Sequence, residues 1–285
     1  MDIDRFRARN GDRRALDRVD PDDTGPFTHK AGAEADLDKG LERLAKRQRL
    51  LYAQDRYALL LIFQGMDAAG KDHVIRHVMS GIGPQGTDVR DFKAPSQEEL
   101  QHDYLWRVVK ALPARGHIGV FNRSHYEEVL VVRVHEDALE SQKLPRELVT
   151  KRIWDERFED INAFERHLAR NGTIVRKFYL HVSRGEQRRR LLERLDDPSK
   201  NWKFSKADIL ERADWRGHHR AAAEAIAATS HRHAPWYIVP ADHKWFTQAL
   251  VAEIIVQTLD ELDLSFPTLK PKERRALAQA RRRLR

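Results

Sequence analysis

Two hydrophobic rhythms alternate along this chain. Between 33 and 54, Leu37, Leu41, Leu44 and Leu51 recur at helical spacing among Lys, Arg and Glu, which predicts an amphipathic helix. Residues 57–64 form a continuous apolar run, too short for an independent helix and followed by glycine. A strand buried on both faces has that pattern. A helix is predicted over 71–79, a short strand over 88–92 and a helix over 96–112, where Ser96 and Glu99 have the spacing of a capping box. A buried strand over 117–121, a helical stretch over 126–135, a long helix over 147–171 and a strand over 173–182 follow. A highly charged segment comes next, then a helix over 217–230, a strand over 236–240 and a helix over 243–262.

Strands alternating with helices predict an α/β fold, a parallel sheet covered on both sides by helices. One domain over 31–265 accounts for the pattern. It carries a charged lid over 184–216, an irregular arm over 1–30 marked by Pro21, Gly25 and Pro26, and a basic tail over 266–285.

Charge sharpens this division. The chain carries 52 Lys and Arg against 44 Asp and Glu, a net +8. Lys270, Lys272, Arg274, Arg275, Arg281, Arg282, Arg283 and Arg285 stand against Glu273 alone, so the tail holds +7 and everything before it +1. A solvated helix is the ordinary form of such a tail. The chain has no cysteine, which excludes disulfides, thiolate metal sites and cysteine nucleophiles. Its first residues lack the apolar core of a secretory signal, and no apolar run approaches a membrane span, so a cytoplasmic protein is expected.

The chemistry centres on Gly65-Met66-Asp67-Ala68-Ala69-Gly70-Lys71-Asp72. It fits G-x-x-x-x-G-K between a buried strand and a helix, the context a P-loop needs. Gly65, Ala68, Ala69 and Gly70 let the backbone curl so that successive N–H groups face one concavity. The helix N-terminus adds unsatisfied donors, and Lys71 a mobile positive charge. The usual Ser or Thr after the lysine is Asp72 here, and Asp67 places a second carboxylate inside the loop. Carboxylates beside a phosphate cradle call for a cation between them, and oxygen ligands with phosphate suit Mg²⁺. Asp67 is the expected ligand; Asp72 is a second candidate, though an acid in a helix's first turn is also favoured structurally.

A polar burst, Asn122-Arg123-Ser124-His125-Tyr126-Glu127, follows the strand over 117–121, where α/β sheets bind ligands. Arg123 can clamp phosphate oxygens, and Asn122 can orient a metal-bound water without supplying charge. His125 reads as an orienting residue. Residues 183–220 hold eleven Lys and Arg and seven Asp and Glu, with Arg184, Arg188, Arg189, Arg190 and Arg194 on several helical faces. They read equally as a lid over phosphates and as a solvent-exposed helix pair laced with ion pairs. His218-His219 and His231-x-His233 lack partners at metal-site spacing and read as surface histidines.

These residues resemble a known family. GMDAAGKD, FKAPS (92–96), YLWR (104–107), GVFNRSHYEEVLVVRVH (119–135), RLDDPSKNWKFS (194–205) and APWYIVPADHKW (234–245) together look like a family-two polyphosphate kinase, from about 28 to 262. The resemblance implies a thymidylate-kinase-like P-loop fold with a mobile helical lid. It also implies Mg²⁺-dependent phosphate transfer between polyphosphate and nucleotides. Asp67 then resembles the family's metal-coordinating aspartate, Lys71 its phosphate lysine and Arg123 the arginine of its second motif, a catalytic set of three. Asn-Arg-Ser-x-Tyr-Glu looks like the third class, which phosphorylates AMP and ADP; there Glu127 helps position the acceptor or its metal. Lys93, Arg133, Arg188 and Lys203 are secondary candidates for gripping phosphates. Guanine nucleotides are further candidate acceptors, and a homo-oligomer is implied.

A nucleotide kinase using ATP would share the fold, but lacks its standard Mg²⁺ ligand here because no Ser or Thr follows Lys71. A nucleic-acid module is not expected: the tail after Lys270 has no aromatic side chain to stack on bases. No membrane partner is expected either.

Overall fold

A computed structural model describes residues 1–284; Arg285, counted above with the basic tail, lies outside the described residues. Five strands form one sheet: β1 (Ala58–Gln64), β2 (Thr87–Asp91), β3 (Ile118–Asn122), β4 (Thr173–His181) and β5 (Trp236–Pro240). All neighbours run parallel, in the order β2-β3-β1-β4-β5. The helices are α1 (Ala15–Arg18), α2 (Lys30–Gln54), α3 (Lys71–Met79), α4 (Trp106–Lys110), α5 (Glu127–Leu130) and α6 (Glu136–Glu140). Then come α7 (Ile153–Arg170), α8 (Arg184–Asp196), α9 (Lys206–Ala213), α10 (Trp215–Thr229), α11 (Lys244–Asp260) and α12 (Pro271–Arg283).

β1 explains the layering. All seven of its residues are buried, and successive side chains alternate between faces. Leu59, Leu61 and Phe63 enter a core with α2, α3 and α11, while Leu60 and Ile62 enter another with α5, α7 and α10. An apolar run without polar alternation is what two covered faces require.

Three helical expectations shorten, for local reasons. Over 96–112 the capping box forms, with Ser96 N–H donating to Glu99 Oε2 at 2.7 Å and Glu99 N–H to Ser96 Oγ at 3.2 Å. It caps only a 3-10 turn, because His102 is extended and Asp103 restarts the chain by accepting from Leu105 N–H, ahead of α4. Over 126–135 only α5 is helical; Val129, Val131, Val132 and Val134 are stiff at χ1 and poor helix formers. Over 147–171 the helix starts at Ile153, after a turn in which Thr150 Oγ1 accepts from Arg152 N–H.

The arm over 1–30 is irregular for much of its length but is fastened to the sheet. Phe6 and Leu16 are buried, Ala8 N–H donates to Trp236 O at 2.9 Å, and Arg7 pairs antiparallel with Tyr237. It thereby covers the open edge of β5, which would otherwise present unpaired backbone groups. No helix among the described residues is long and apolar enough to cross a membrane.

Candidate active site

The site is assembled by register. β1 and β3 are neighbours with Phe63 opposite Asn122, so the loop after β1 and the polar burst after β3 leave the sheet side by side. Gly65 is required where its loop crosses β4: a Cβ there would lie 2.8 Å from Leu180 O. Gly70 caps α3 at φ +104°, a left-handed conformation that glycine adopts freely. Ala68 and Arg123 also sit in the left-handed region, at φ 62° each; such residues concentrate at ligand sites. At the start of α3, His73 and Val74 N–H donate to Gly70 O, while the N–H groups of Lys71 and Asp72 precede the first intrahelical bond and can serve a phosphate.

Lys71 is buried, and its Nζ donates to Gly65 O at 2.7 Å and Met66 O at 3.3 Å. Burial, then the Arg123 charge, pull its pKa below the ordinary lysine value. Arg123 bridges the two motifs, with Nη2 to Asp67 Oδ1 at 2.7 Å and Nη1 to Glu127 Oε2 at 3.0 Å. Burial alone would raise the Asp67 carboxyl, but Lys71, Arg123 and hydrogen bonds from Glu211 and Asp208 hold it at about 2. Burial and that same bond to Asp67 push the Glu211 carboxyl up to about 8.

Asn122 Nδ2 donates to Asp72 Oδ1 at 2.8 Å, and Lys203 Nζ lies 4.0 Å from Asp72 Oδ2. The loop, Asp72, Asn122, Arg123, Glu127 and Lys203 therefore lie together. Three candidates are not. Lys93 is exposed beyond β2, its carbonyl accepting from Arg107. Arg133 is ion-paired to Glu224 and lies over the rings of Trp154 and Phe158. Arg188 is exposed on α8, facing away from the loop that its neighbour Arg190 holds.

Four residues outside the expected set lie against it. Arg190 is buried, and its guanidinium donates to the carbonyls of Ala68, Ala69, Ala241 and Asp242 at 2.5–3.1 Å. That fixes the Ala68 and Ala69 carbonyls against α8, while within the loop Ala69 N–H donates to Met66 O at 3.1 Å. Gln187 Nε2 donates to Asp67 O at 3.0 Å, and its Oε1 accepts from Arg212 of α9 at 2.8 Å. Glu211 and His218 line a cavity of about 30 Å³ with Asp67, Arg123 and Glu127. Gln187, Arg190 and Arg194 share one helical stripe (i, i+3, i+7), the signal that separates them from Arg188 and Arg189. His218, a surface residue by its sequence pattern, is buried instead, with its Nε2 unpartnered. His231 and His233 are half-buried and stacked, rings 5.4 Å apart.

The site suits a magnesium ion by its donors. Asn122 Oδ1 is buried without a hydrogen-bond partner beside Asp72, an oxygen left for a cation or its water. Among the described residues no three carboxylates or histidines gather into a protein-only metal cage. Mg²⁺ bound through one or two carboxylates and substrate phosphates needs none.

Comparisons with known proteins place the chain in a family. A polyphosphate kinase 2 family model matches residues 28–267. An ADP-polyphosphate phosphotransferase of Rhodopseudomonas palustris is 52% identical over 245 residues, covering 86% of this chain and 85% of that protein. An AMP/ADP-polyphosphate phosphotransferase of Meiothermus ruber is 43% identical over 266 residues, covering 92% and 95%. The crystal structure of polyphosphate kinase 2 from Arthrobacter aurescens superposes with a TM-score of 0.86 at 39% identity, covering 96% and 95%. Matched from residue 28 to 267, a stretch that contains the cradle, the second motif and α8–α9, the chain belongs to the polyphosphate kinase 2 family.

Proposed function

We infer that this chain transfers the terminal phosphoryl group of inorganic polyphosphate to AMP and ADP, giving ADP and ATP. The observation that carries this is the Arg123 bridge, which sets a guanidinium between Asp67 of the phosphate cradle and Glu127 of the second motif. The names of the relatives support the donor, and those two names between them support both acceptors. An ATP-dependent kinase of the same fold is not favoured.

Phosphoryl transfer needs positioning and charge stabilisation, not a protein nucleophile. A terminal phosphate oxygen of the acceptor forms the new P–O bond while the bond to the next phosphate of the donor chain breaks. Lys71 leaves the Gly65 and Met66 carbonyls to follow the donor phosphate, and Arg123 stabilises charge on the oxygens in transit. Glu127 keeps Arg123 oriented and faces the acceptor. Lys203 and the α8–α9 lid close over the phosphates and exclude water. Mg²⁺, when bound, neutralises phosphate charge, with Asp67 and the Asn122–Asp72 pair as its holders. Lys93, Arg133 and Arg188 join the substrate only after movement from the positions described above. Guanine nucleotides as further acceptors, a homo-oligomer and a cytoplasmic site of action complete the reading.

The test is product formation from AMP, Mg²⁺ and long-chain polyphosphate with no nucleoside triphosphate added. ADP and ATP should both appear. Activity only once ATP is supplied as donor would replace this reading with an ordinary nucleotide kinase.

A further inference from the structure

The C-terminal helix α12 lies outside all of this chemistry. The family match ends at residue 267, and α12 follows it. Every described residue from Lys270 to Leu284 is exposed, and none of the basic side chains forms an ion pair among the described residues. Its single acid is already used, since Glu273 Oε2 accepts from Lys270 N–H at 2.6 Å and caps the helix. Arg274 with Arg281 and Arg275 with Arg282 recur at i, i+7, forming two basic stripes along the axis. Holding these like charges together costs repulsion that nothing in the domain offsets.

The position of α12 says what it can reach. α11 starts beside the Ala241 and Asp242 carbonyls that Arg190 holds at the phosphate cradle. It runs 17 residues away from them, about 25 Å at helical rise. At its far end Asp263 O accepts from Gln54, and α12 begins beyond that point. No α12 residue lines the cavity beside Asp67 and Arg123, so a donor must extend beyond that cavity to meet α12.

We propose that α12 binds the trailing length of the polyphosphate donor, holding a long chain on the enzyme while its end reacts. This rests on the function inferred above. A flexible linear polyanion matches unpaired arginines on a rod without any pocket, through release of its counterions. The alternatives fit less well. Residues 270–285 contain no aromatic for base stacking, and the apolar stripe offers only Leu277 and Leu284 as large side chains to a lipid surface.

The experiment uses the full chain with Arg281, Arg282 and Arg283 changed to Gln, and a second variant with Arg274→Gln and Arg275→Gln. Binding of long-chain polyphosphate and of tripolyphosphate is measured without nucleotide, and KM for each donor with ADP. Both variants should weaken long-chain binding and raise its KM about tenfold at low salt, with a flatter salt dependence. Tripolyphosphate should be unaffected, as should the unfolding midpoint. Equal effects on both donors, or none on either, overturn the proposal. So does loss of binding to RNA or to phosphatidylserine vesicles with long-chain polyphosphate binding unchanged. A wild type that binds polyphosphate but never transfers from it would instead defeat the function inferred above.

Discussion

Two clusters of charge sit against the same sheet and behave oppositely. In one, Lys177 of β4 and Glu165 of α7 are fully buried, with Nζ and Oε2 2.5 Å apart. Tyr126 Oη donates to Glu165 Oε1 and accepts from Lys177, which also donates to Thr229 O, each at 2.8 Å. His125 is buried beside them. In the other, Asp67, Arg123 and Glu127 keep side-chain exposures of 13%, 33% and 16% and open onto a cavity. The sealed cluster has no route to a substrate and can only hold α7, β4 and the second motif together. The half-open one uses the same kinds of groups with contacts that a phosphate can replace.

Breaking the sealed cluster should produce the largest change. Lys177→Met leaves Glu165 buried without its cation and should cost about 3–5 kcal/mol in denaturant unfolding. Adding Glu165→Leu should recover much of that loss. A single variant as stable as the parent would put the pair's importance in doubt. Breaking the open cluster should act on rate instead. Lys71→Ala and Arg123→Ala should each lower turnover by about 10²–10³-fold, the scale for removing one transition-state donor.

Between the extremes lies Arg190, buried like the first cluster but touching the cradle like the second. Arg190→Gln should cost about 1–3 kcal/mol from its stranded carbonyls. It should raise KM for polyphosphate more than it lowers kcat; an effect on stability alone would reduce Arg190 to a structural brace. The smallest effect concerns His181, at the end of β4. Burial, then the neighbouring His219, lower its pKa from 6.5 to about 4. Its neutral ring contributes stability that is complete above pH 6.5 and lost as the pH falls through 4. His181→Gln should flatten that part of the stability profile.

Legibility in the sequence followed distance along the chain. The cradle is eight consecutive residues between a strand and a helix, and the second motif six, so both could be read locally. The sheet could be read because β1, β3 and β5 are short apolar runs. Arg190 meets Ala68 across 122 positions, and Gln187 meets Asp67 across 120; no local pattern encodes those contacts. The segment carries cations on every helical face, so Arg188 and Arg190 look alike until Gln187, Arg190 and Arg194 are read together as one stripe. Lys177 was hidden for a related reason: it sits in an apolar strand, and its partner lies on α7. The arm looked loose from composition because its anchors, Phe6 and Leu16, are too few to make a pattern.

The most direct test of the central claim joins two readings on one variant. Arg123→Ala should be compared with the parent for ADP and ATP formation from AMP and polyphosphate, and for its unfolding midpoint. Transfer should collapse while the variant remains folded at the assay temperature. Transfer that persists, or that fails only in step with unfolding, would contradict the central claim.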